Sequence, residues 1–526
     1  MTYDYLIVGA GSAGCVLANR LSENPNNRVL LLEAGPRDWH PFIHMPAGIA
    51  KMVNNKGINW DYSTEPEPNL DNRRLWWPRG RVLGGSSSIN AMCYIRGDAH
   101  DYDEWAQLAG DARWNWQNVL PYFKRSEGNT RGADALHGAD GPLAVQDLRC
   151  HNPLSQAFID AALACGHPAN RDFNGTQQEG FGLYQVTQKN GARCSTAAGY
   201  LRAARRRANL RVVTRAVTQR VLLDGPRAVG VDYRHHGRLT RAEGREVILC
   251  GGVINSPQLL MLSGIGPADH LHEHGIRVAQ ALPGVGANLQ DHLDICTLQH
   301  CVQPVSYDRL SDVAVALKYL LRRDGPGTSN LAEGGGFVRS RLAEDARCDL
   351  QFHFLPGLLD DHGRHRLPGY GYTMHACMLR PKSRGAIRLK SADPNAKAAI
   401  HANYLSDAEG YDLAMLIEGS KLTREIFAAK PFDAYRGEEI FPGSAAQSDA
   451  EIASYIRRKA ETVYHPVGTC RMGNGADAVV DTELRVHGVA GLRVVDASVM
   501  PCLPGGNTNA PTVMIAERAA DFLLGA

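Results

Sequence analysis

The chain has 526 residues, 44% hydrophobic and 21% charged, and a formal net charge of +2. That length predicts two or three domains in an ordinary soluble globular protein, and the near-zero charge gives no reason to expect nucleic acid, which demands a concentrated basic face. Twelve cysteines with no CxxC pair or repeated spacing exclude a zinc ribbon and a secreted disulfide framework.

The first 35 residues read as strand, turn, helix, strand. Tyr3–Val8 is a short apolar run ending in glycine, Val16, Leu17 and Leu21 recur at helical spacing, and Val29–Leu32 is a second apolar run ending at Glu33. Unbroken apolar runs of this length fit strands covered on both faces, as in a parallel sheet. Asp4 interrupts the start, so no secretory signal is expected. Residues 36–110 are rich in proline and tryptophan and are expected to be mostly loop. Leu210–Val213, Val217–Leu223, Ala228–Tyr233 and Glu246–Leu249 alternate like strands, and Asn255–Gly266 has a helical pattern that stops at glycine. The stretch 295–455 is more varied, with strand-like pieces at Leu350–Leu355 and Ala386–Leu389. Within it, Val313–Leu321 is apolar but carries Lys318 and falls short of the roughly 18 residues a spanning helix needs. Val494–Leu524 returns to strand, loop and helix. Arginine clusters at Arg202, Arg205–Arg207, Arg322–Arg323 and Arg457–Arg458 read as solvated faces, or as a basic patch for an anionic membrane. The expected compartment is the cytoplasm, with peripheral attachment to the inner membrane as the variant.

Gly9-Ala10-Gly11-Ser12-Ala13-Gly14 is a G-x-G-x-x-G between the first strand and the first helix. Gly9 serves the tight turn, Gly11 the close approach of a pyrophosphate, and Gly14 the packing of helix on strand. The helix N-terminus offers unpaired N–H groups to the phosphates. Glu33, 19 residues after Gly14 at the end of the next strand, can accept hydrogen bonds from ribose hydroxyls. NAD and FAD share this fingerprint, so the loop leaves the dinucleotide open.

Further stretches narrow it. Gly80-Arg81-Val82-Leu83-Gly84-Gly85-Ser86-Ser87-Ser88-Ile89-Asn90 and Ser256-Pro257-Gln258-Leu259-Leu260-Met261-Leu262-Ser263-Gly264-Ile265-Gly266 resemble the two signatures of the glucose–methanol–choline (GMC) flavoprotein oxidoreductases. Pro283–His292, Pro381–Gly385, Tyr464–Thr469, Val495–Ser498 and Gly506–Thr512 are similar to further stretches of that family, in order and at its spacing. Val253 departs from it, standing where a smaller residue is usual. Ile43–Pro46, Val186–Gly191 and Gln351–Pro356 look most like the membrane-associated alcohol dehydrogenases of alkane-utilising bacteria, with the choline dehydrogenases near.

The resemblance implies an α/β fold: a Rossmann-like FAD-binding domain of discontinuous segments (1–150, 191–295 and 456–526) and an α+β substrate domain of sheet backed by helices (151–190 and 296–455). It places the adenosine end of FAD at Glu33 and Ala34 and the pyrophosphate over Gly9, Gly11, Ser12, Ala13 and Gly14. Val82, Gly85, Ser86, Asn90, Ala91 and Met92 follow along the cofactor. Val217 is expected at the adenine and Asp496 and Ala497 near the diphosphate or ribityl chain. Trp60, Tyr464 and Asn507 complete the expected pocket. Ile89 stands where some members carry a histidine bound covalently to flavin, so noncovalent FAD is expected. His465 matches the catalytic histidine and Asn509 its partner, with Asn507 the rival in the same turn. A histidine can take the alcohol proton while an amide stabilises the developing alkoxide. The expected reaction is oxidation of a primary aliphatic alcohol to an aldehyde, with electrons passed to a quinone-type acceptor. Oxidase, choline dehydrogenase and hydroxynitrile lyase activities remain alternatives on the same scaffold. His353, His362 and His365 near Asp360 and Asp361 are spaced too irregularly for a metal site.

Overall fold

A computed structural model describes residues 2–52, 54–365 and 367–525. Its first sheet is built around β1 (Thr2–Val8). This strand lies parallel between β2 (Val29–Glu33) and the strand Arg238–Leu249. Leu210–Thr214 flanks β2, also in parallel. Residues 238–243 pair antiparallel with Arg227–His235, which turns back to Ala216–Asp224, while residues 247–249 pair in parallel with Leu492–Val494. One long strand therefore joins a meander to a parallel sheet. Leu6, Ile7, Leu30–Leu32 and Val247–Leu249 are buried, as expected of strands covered on both faces. Helix α1 (Ser12–Leu21) packs against the C-terminal helix Asn509–Leu524. Beside them Glu517, fully buried, accepts hydrogen bonds from Arg20, Arg125 and the Tyr200 hydroxyl.

The second sheet is antiparallel, in the order Arg436–Phe441, Leu293–Cys301, Gly371–Met378, Leu350–Leu355, Gly334–Val338, Gly180–Leu183. Side chains alternate across it. Phe352 and Phe354 join an aromatic cluster with Phe158, Phe181, Phe427, Phe432 and Tyr372 on the side of the helices Pro153–Ala164 and Tyr411–Ala428. His353, Leu355 and His375 face a cavity shared with the first sheet. The architecture is the expected one: a Rossmann-like α/β unit joined to a sheet backed by helices.

Three local expectations are revised. The stretch 36–110 contains an 11-residue helix, Ala99–Ala109, whose Asp98–Asp101 capping box satisfies its first N–H groups. The helix expected over 255–266 runs over Gly252–Leu262 and ends before Gly264, whose φ of +81° an L side chain rarely adopts. The strand Leu293–Cys301 of the second sheet starts before residue 296 and pairs with Glu461–Thr462, so the sheet crosses both the 295/296 and 455/456 boundaries.

Candidate active site

A cavity of about 1210 Å³ runs from the carboxyl ends of the parallel strands to the inner face of the second sheet, where open α/β folds bind their ligands. The three fingerprint glycines differ in what surrounds them. A Cβ on Gly9 would lie 2.4 Å from the Cys250 carbonyl oxygen, and one on Gly14 would lie 1.9 Å from that of Gly9. Both are closed by protein. A Cβ on Gly11 would meet nothing within 4 Å, so its backbone faces open space at the start of α1. No side chain caps α1, and its first turn carries no acid, leaving N–H groups and the positive dipole end for an anion. Gly252, at the start of Gly252–Leu262, is likewise open and has φ +79°. These two helix starts form a cradle that fits a dinucleotide diphosphate.

Two buried carboxylates shape the cradle. The two Glu33 oxygens accept the Ala10 and Gly35 N–H groups at 2.9 and 2.7 Å. Each keeps a further lone pair for a ribose hydroxyl. Burial pushes the Glu33 carboxyl up to about 7, against those hydrogen bonds and the Arg81 charge. Asp496 accepts from the Gly252 N–H at 2.8 Å, the Ser256 hydroxyl at 2.6 Å and the Ser498 N–H at 2.8 Å, fixing the second helix start. Burial raises its carboxyl too.

At the far end His465 lies in a chain of imidazoles and amides. The Leu379 carbonyl can only accept, so His292 Nε2, at 3.2 Å, is the donor to it. Desolvation first, with a smaller push from Arg380, lowers His292 to about 3, so the ring is neutral and its Nδ1 is an acceptor. That Nδ1 is 3.0 Å from His465 Nδ1, which must then carry the hydrogen. His465 Nε2 keeps its lone pair, which accepts from the Asn507 amide at 3.1 Å. Burial, then the neighbouring His292, His353 and Arg79, hold His465 well below 6.5. Asn507 Oδ1 in turn accepts from Gln351 Nε2 at 3.1 Å. Asp291 accepts the His465 backbone N–H at 2.8 Å and the Tyr404 and Thr462 hydroxyls at 2.5 Å each. Tyr464, at φ +67°, holds a left-handed conformation uncommon for a bulky residue. Its carbonyl accepts from Arg79 and its N–H donates to Thr462, and this turn aims His465 into the cavity.

Gly9, Gly11, Ser12, Ala13, Glu33, Ala34, Trp60, Gly85, Ser86, Asn90, Ala91, Met92, Val217, Tyr464, His465, Asp496, Ala497, Asn507 and Asn509 all line this cavity. Gly14 and Val82 do not. Gly14 is covered by the Gly9 backbone, and the Val82 side chain is buried with Ile43, Met52 and Ile58. The expected pairing of His465 with Asn509 is corrected. Asn509 is the first residue of the C-terminal helix, where its Oδ1 accepts the Ser12 hydroxyl at 2.8 Å. Asn507, two residues earlier, reaches the imidazole. His292, Asp291 and Gln351 were not singled out from the sequence, although all three lie inside motif stretches already quoted. His362 instead pairs with Glu461 at 3.3 Å, and His365 lies beside Asp360. Elsewhere on the cavity wall His375 Nδ1 is hydrogen-bonded to Asp294 and lies 3.1 Å from Cys296 Sγ, a thiol that burial raises well above its usual range.

A dinucleotide cradle and a neutral, desolvated histidine at opposite ends of one cavity define a two-domain oxidoreductase of the flavoprotein class. The chain belongs to the GMC oxidoreductase family, whose N-terminal model matches residues 3–294 and whose C-terminal model matches residues 381–516. It is 52% identical to the alcohol dehydrogenase [acceptor] of Pseudomonas putida over 99% of this chain and 96% of that protein. It is 48% identical to mouse mitochondrial choline dehydrogenase over 99% and 89% of the two chains. In structure it resembles pyridoxine 4-oxidase from Mesorbium loti, with TM-score 0.90 and 32% identity over 99% and 98%. FAD is the cofactor of this family, and the open Gly11 and Gly252 backbones fit its diphosphate.

Proposed function

We propose that the protein oxidises a primary aliphatic alcohol to the aldehyde and passes the electrons to a quinone-type acceptor. The observation that carries this reading is the His465 Nε2 lone pair, fixed by the His292 relay and directed into the cavity beside the Asn507 amide. An alcohol oxygen bound between the two takes over the Asn507 amide hydrogen, which frees Nε2 to accept the alcohol proton while Asn507 donates to the forming alkoxide. FAD, when bound, supplies the hydride acceptor. His465 is thus the base, Asn507 the oxyanion donor, and Gln351 and His292 their positioning residues. Leu331, Ala332, Leu355, Leu358, Leu359 and Val463 line the same cavity and favour an aliphatic chain over a charged one. Resemblance to the alcohol dehydrogenase [acceptor] supports transfer of the electrons to a separate acceptor.

Ile89, half-buried among Val82, Ile43, Met52 and Ile58, has no nucleophilic atom, which supports noncovalent FAD. Acid precipitation should release all the yellow colour to the supernatant, and flavin held in the washed pellet would contradict this. Anaerobic mixing with a series of primary alcohols should bleach the flavin, and a soluble quinone analogue should restore it faster than air does. A flavin that no alcohol bleaches, or that air reoxidises at the turnover rate with stoichiometric peroxide, would overturn the reading.

A further inference from the structure

Amphipathic helices of globular proteins turn their apolar stripe inward. The helix Asp312–Arg322 does the reverse. Val313, Leu317, Leu320 and Leu321 are 68%, 55%, 69% and 80% exposed, and at helical spacing they share an arc of about 100°. Ala314 beside them is exposed too, while Tyr319 on the opposite side is buried and donates its hydroxyl to the His44 carbonyl. Leu310, 41% exposed, extends the patch just before the helix. Isolated exposed leucines need no explanation, but a contiguous set on one helix does.

The charges around the stripe are mostly cationic. Arg309, Lys318, Arg322 and Arg323 are exposed, with Lys318 on the flank next to Leu321 and Arg322 beyond it. Among the described residues none of these four makes an ion pair. The nearby acids are engaged or withdrawn: Asp312 is bound by Lys51 at 2.5 Å, Asp308 accepts from the Leu358 N–H and the Ser306 hydroxyl, and Asp324 is half-buried. The inner side of the helix meets the active-site cavity, which Leu310, Asp312, Val315 and Ala316 line.

We propose that the outer face of Asp312–Arg322 docks on an anionic bilayer, with the leucines in the headgroup–acyl boundary and Lys318 and Arg322 reaching the lipid phosphates. Apolar residues on one face with cations at their flank are the pattern of helices that lie in the membrane interface. The cavity then lies directly behind the docked helix. This proposal stands apart from the alcohol reading, since its test reads binding alone.

The FAD-loaded protein is sedimented with vesicles of phosphatidylethanolamine and phosphatidylglycerol in equal parts, and separately with pure phosphatidylcholine. Wild type should partition to the anionic vesicles, more weakly as salt rises. L317D/L321D should lose at least about tenfold of that partition, with flavin content and melting temperature unchanged because both residues are exposed and off the cavity. K318E/R322E should remove the preference for anionic lipid. Wild type remaining in the supernatant, or L317D/L321D sedimenting like wild type, overturns the proposal. So does a wild-type dimer that L317D/L321D turns into a monomer, because a second copy would then be the occupant.

Discussion

The two asparagines of the Asn507-Thr508-Asn509 turn are chemically alike and 2 residues apart, yet truncating each should give a different defect. Asn507→Ala removes the amide that donates to His465 Nε2 at 3.1 Å and, in the proposed reaction, to the alkoxide. Loss of one oxyanion donor lowers the chemical step about 10²–10³-fold, or about 2.7–4 kcal/mol. Gln351 loses its Asn507 acceptor but keeps the Tyr184 hydroxyl at 3.2 Å, so little reorganisation adds to that figure. Asn509→Ala removes only the acceptor for the Ser12 hydroxyl, a half-buried neutral hydrogen bond worth about 1 kcal/mol. It should slow flavin reduction by less than about tenfold and show mainly as weaker FAD retention, since Ser12 opens α1. The assay is anaerobic stopped flow at saturating alcohol, following flavin absorbance, with FAD content measured on the same samples. Asn509→Ala reducing flavin more slowly than Asn507→Ala, or the two within about threefold of each other, would refute the assignment.

Burial, His292, His353 and Arg79 lower His465, and the protonated ring cannot act as a base. The rate of flavin reduction should therefore stay level as pH rises from 6.5 and fall only on acidification below it; a half-point above 6.5 in the pH–rate profile would contradict this. His465→Ala should slow flavin reduction by at least about a hundredfold while the protein stays yellow, and near-normal reduction would remove His465 from the mechanism. Gly14→Ala drives a Cβ against the Gly9 carbonyl and should lower the melting temperature even without FAD. Gly11→Ala adds a Cβ in open space and should leave that temperature unchanged while weakening FAD binding; calorimetry and FAD titration separate the two. Gln351→Leu should slow reduction about tenfold through a loosened Asn507 amide with FAD affinity intact, and a parallel loss of FAD would mark it as merely structural.

The parallel sheet was legible because Leu6–Val8 and Val29–Leu32 are unbroken apolar runs, a pattern that burial on both faces imposes. The Gly9–Gly14 loop was legible because close backbone packing and the positive φ of Gly9 demand glycine at fixed spacing, whereas Gly252, the other half of the cradle, carries no such local pattern. Residues 295–455 were less so: Leu350–Leu355 was legible, but Leu293–Cys301 mixes Asp, Cys, Thr, Gln and His into both of its faces, and this breaks the strand alternation. The choice between Asn507 and Asn509 depended on where the C-terminal helix begins. Helix starts are uncertain by one or two residues, and Asn509 turned out to be the first residue of that helix. The roles of His292 and Gln351 depend on contacts 173 and 156 residues away in sequence, which no local spacing encodes.

The strand Arg238–Leu249 waits between neighbours drawn from both extremes of the chain: β1 on one edge and Leu492–Val494 on the other. During synthesis, residues 2–249 emerge long before residue 492. The sheet edge at Val247–Leu249 then stands unpaired, and pairings so distant in sequence form slowly. His465, Asp496, Asn507 and the helix Asn509–Leu524 likewise emerge long after residue 249. A nascent chain thus carries the glycine loop without the histidine or the carboxylate that fixes the second helix start. Redox capability arrives only when residues 465–509 have threaded into place, so a chain cut short of them cannot hold a reactive cofactor next to a working base.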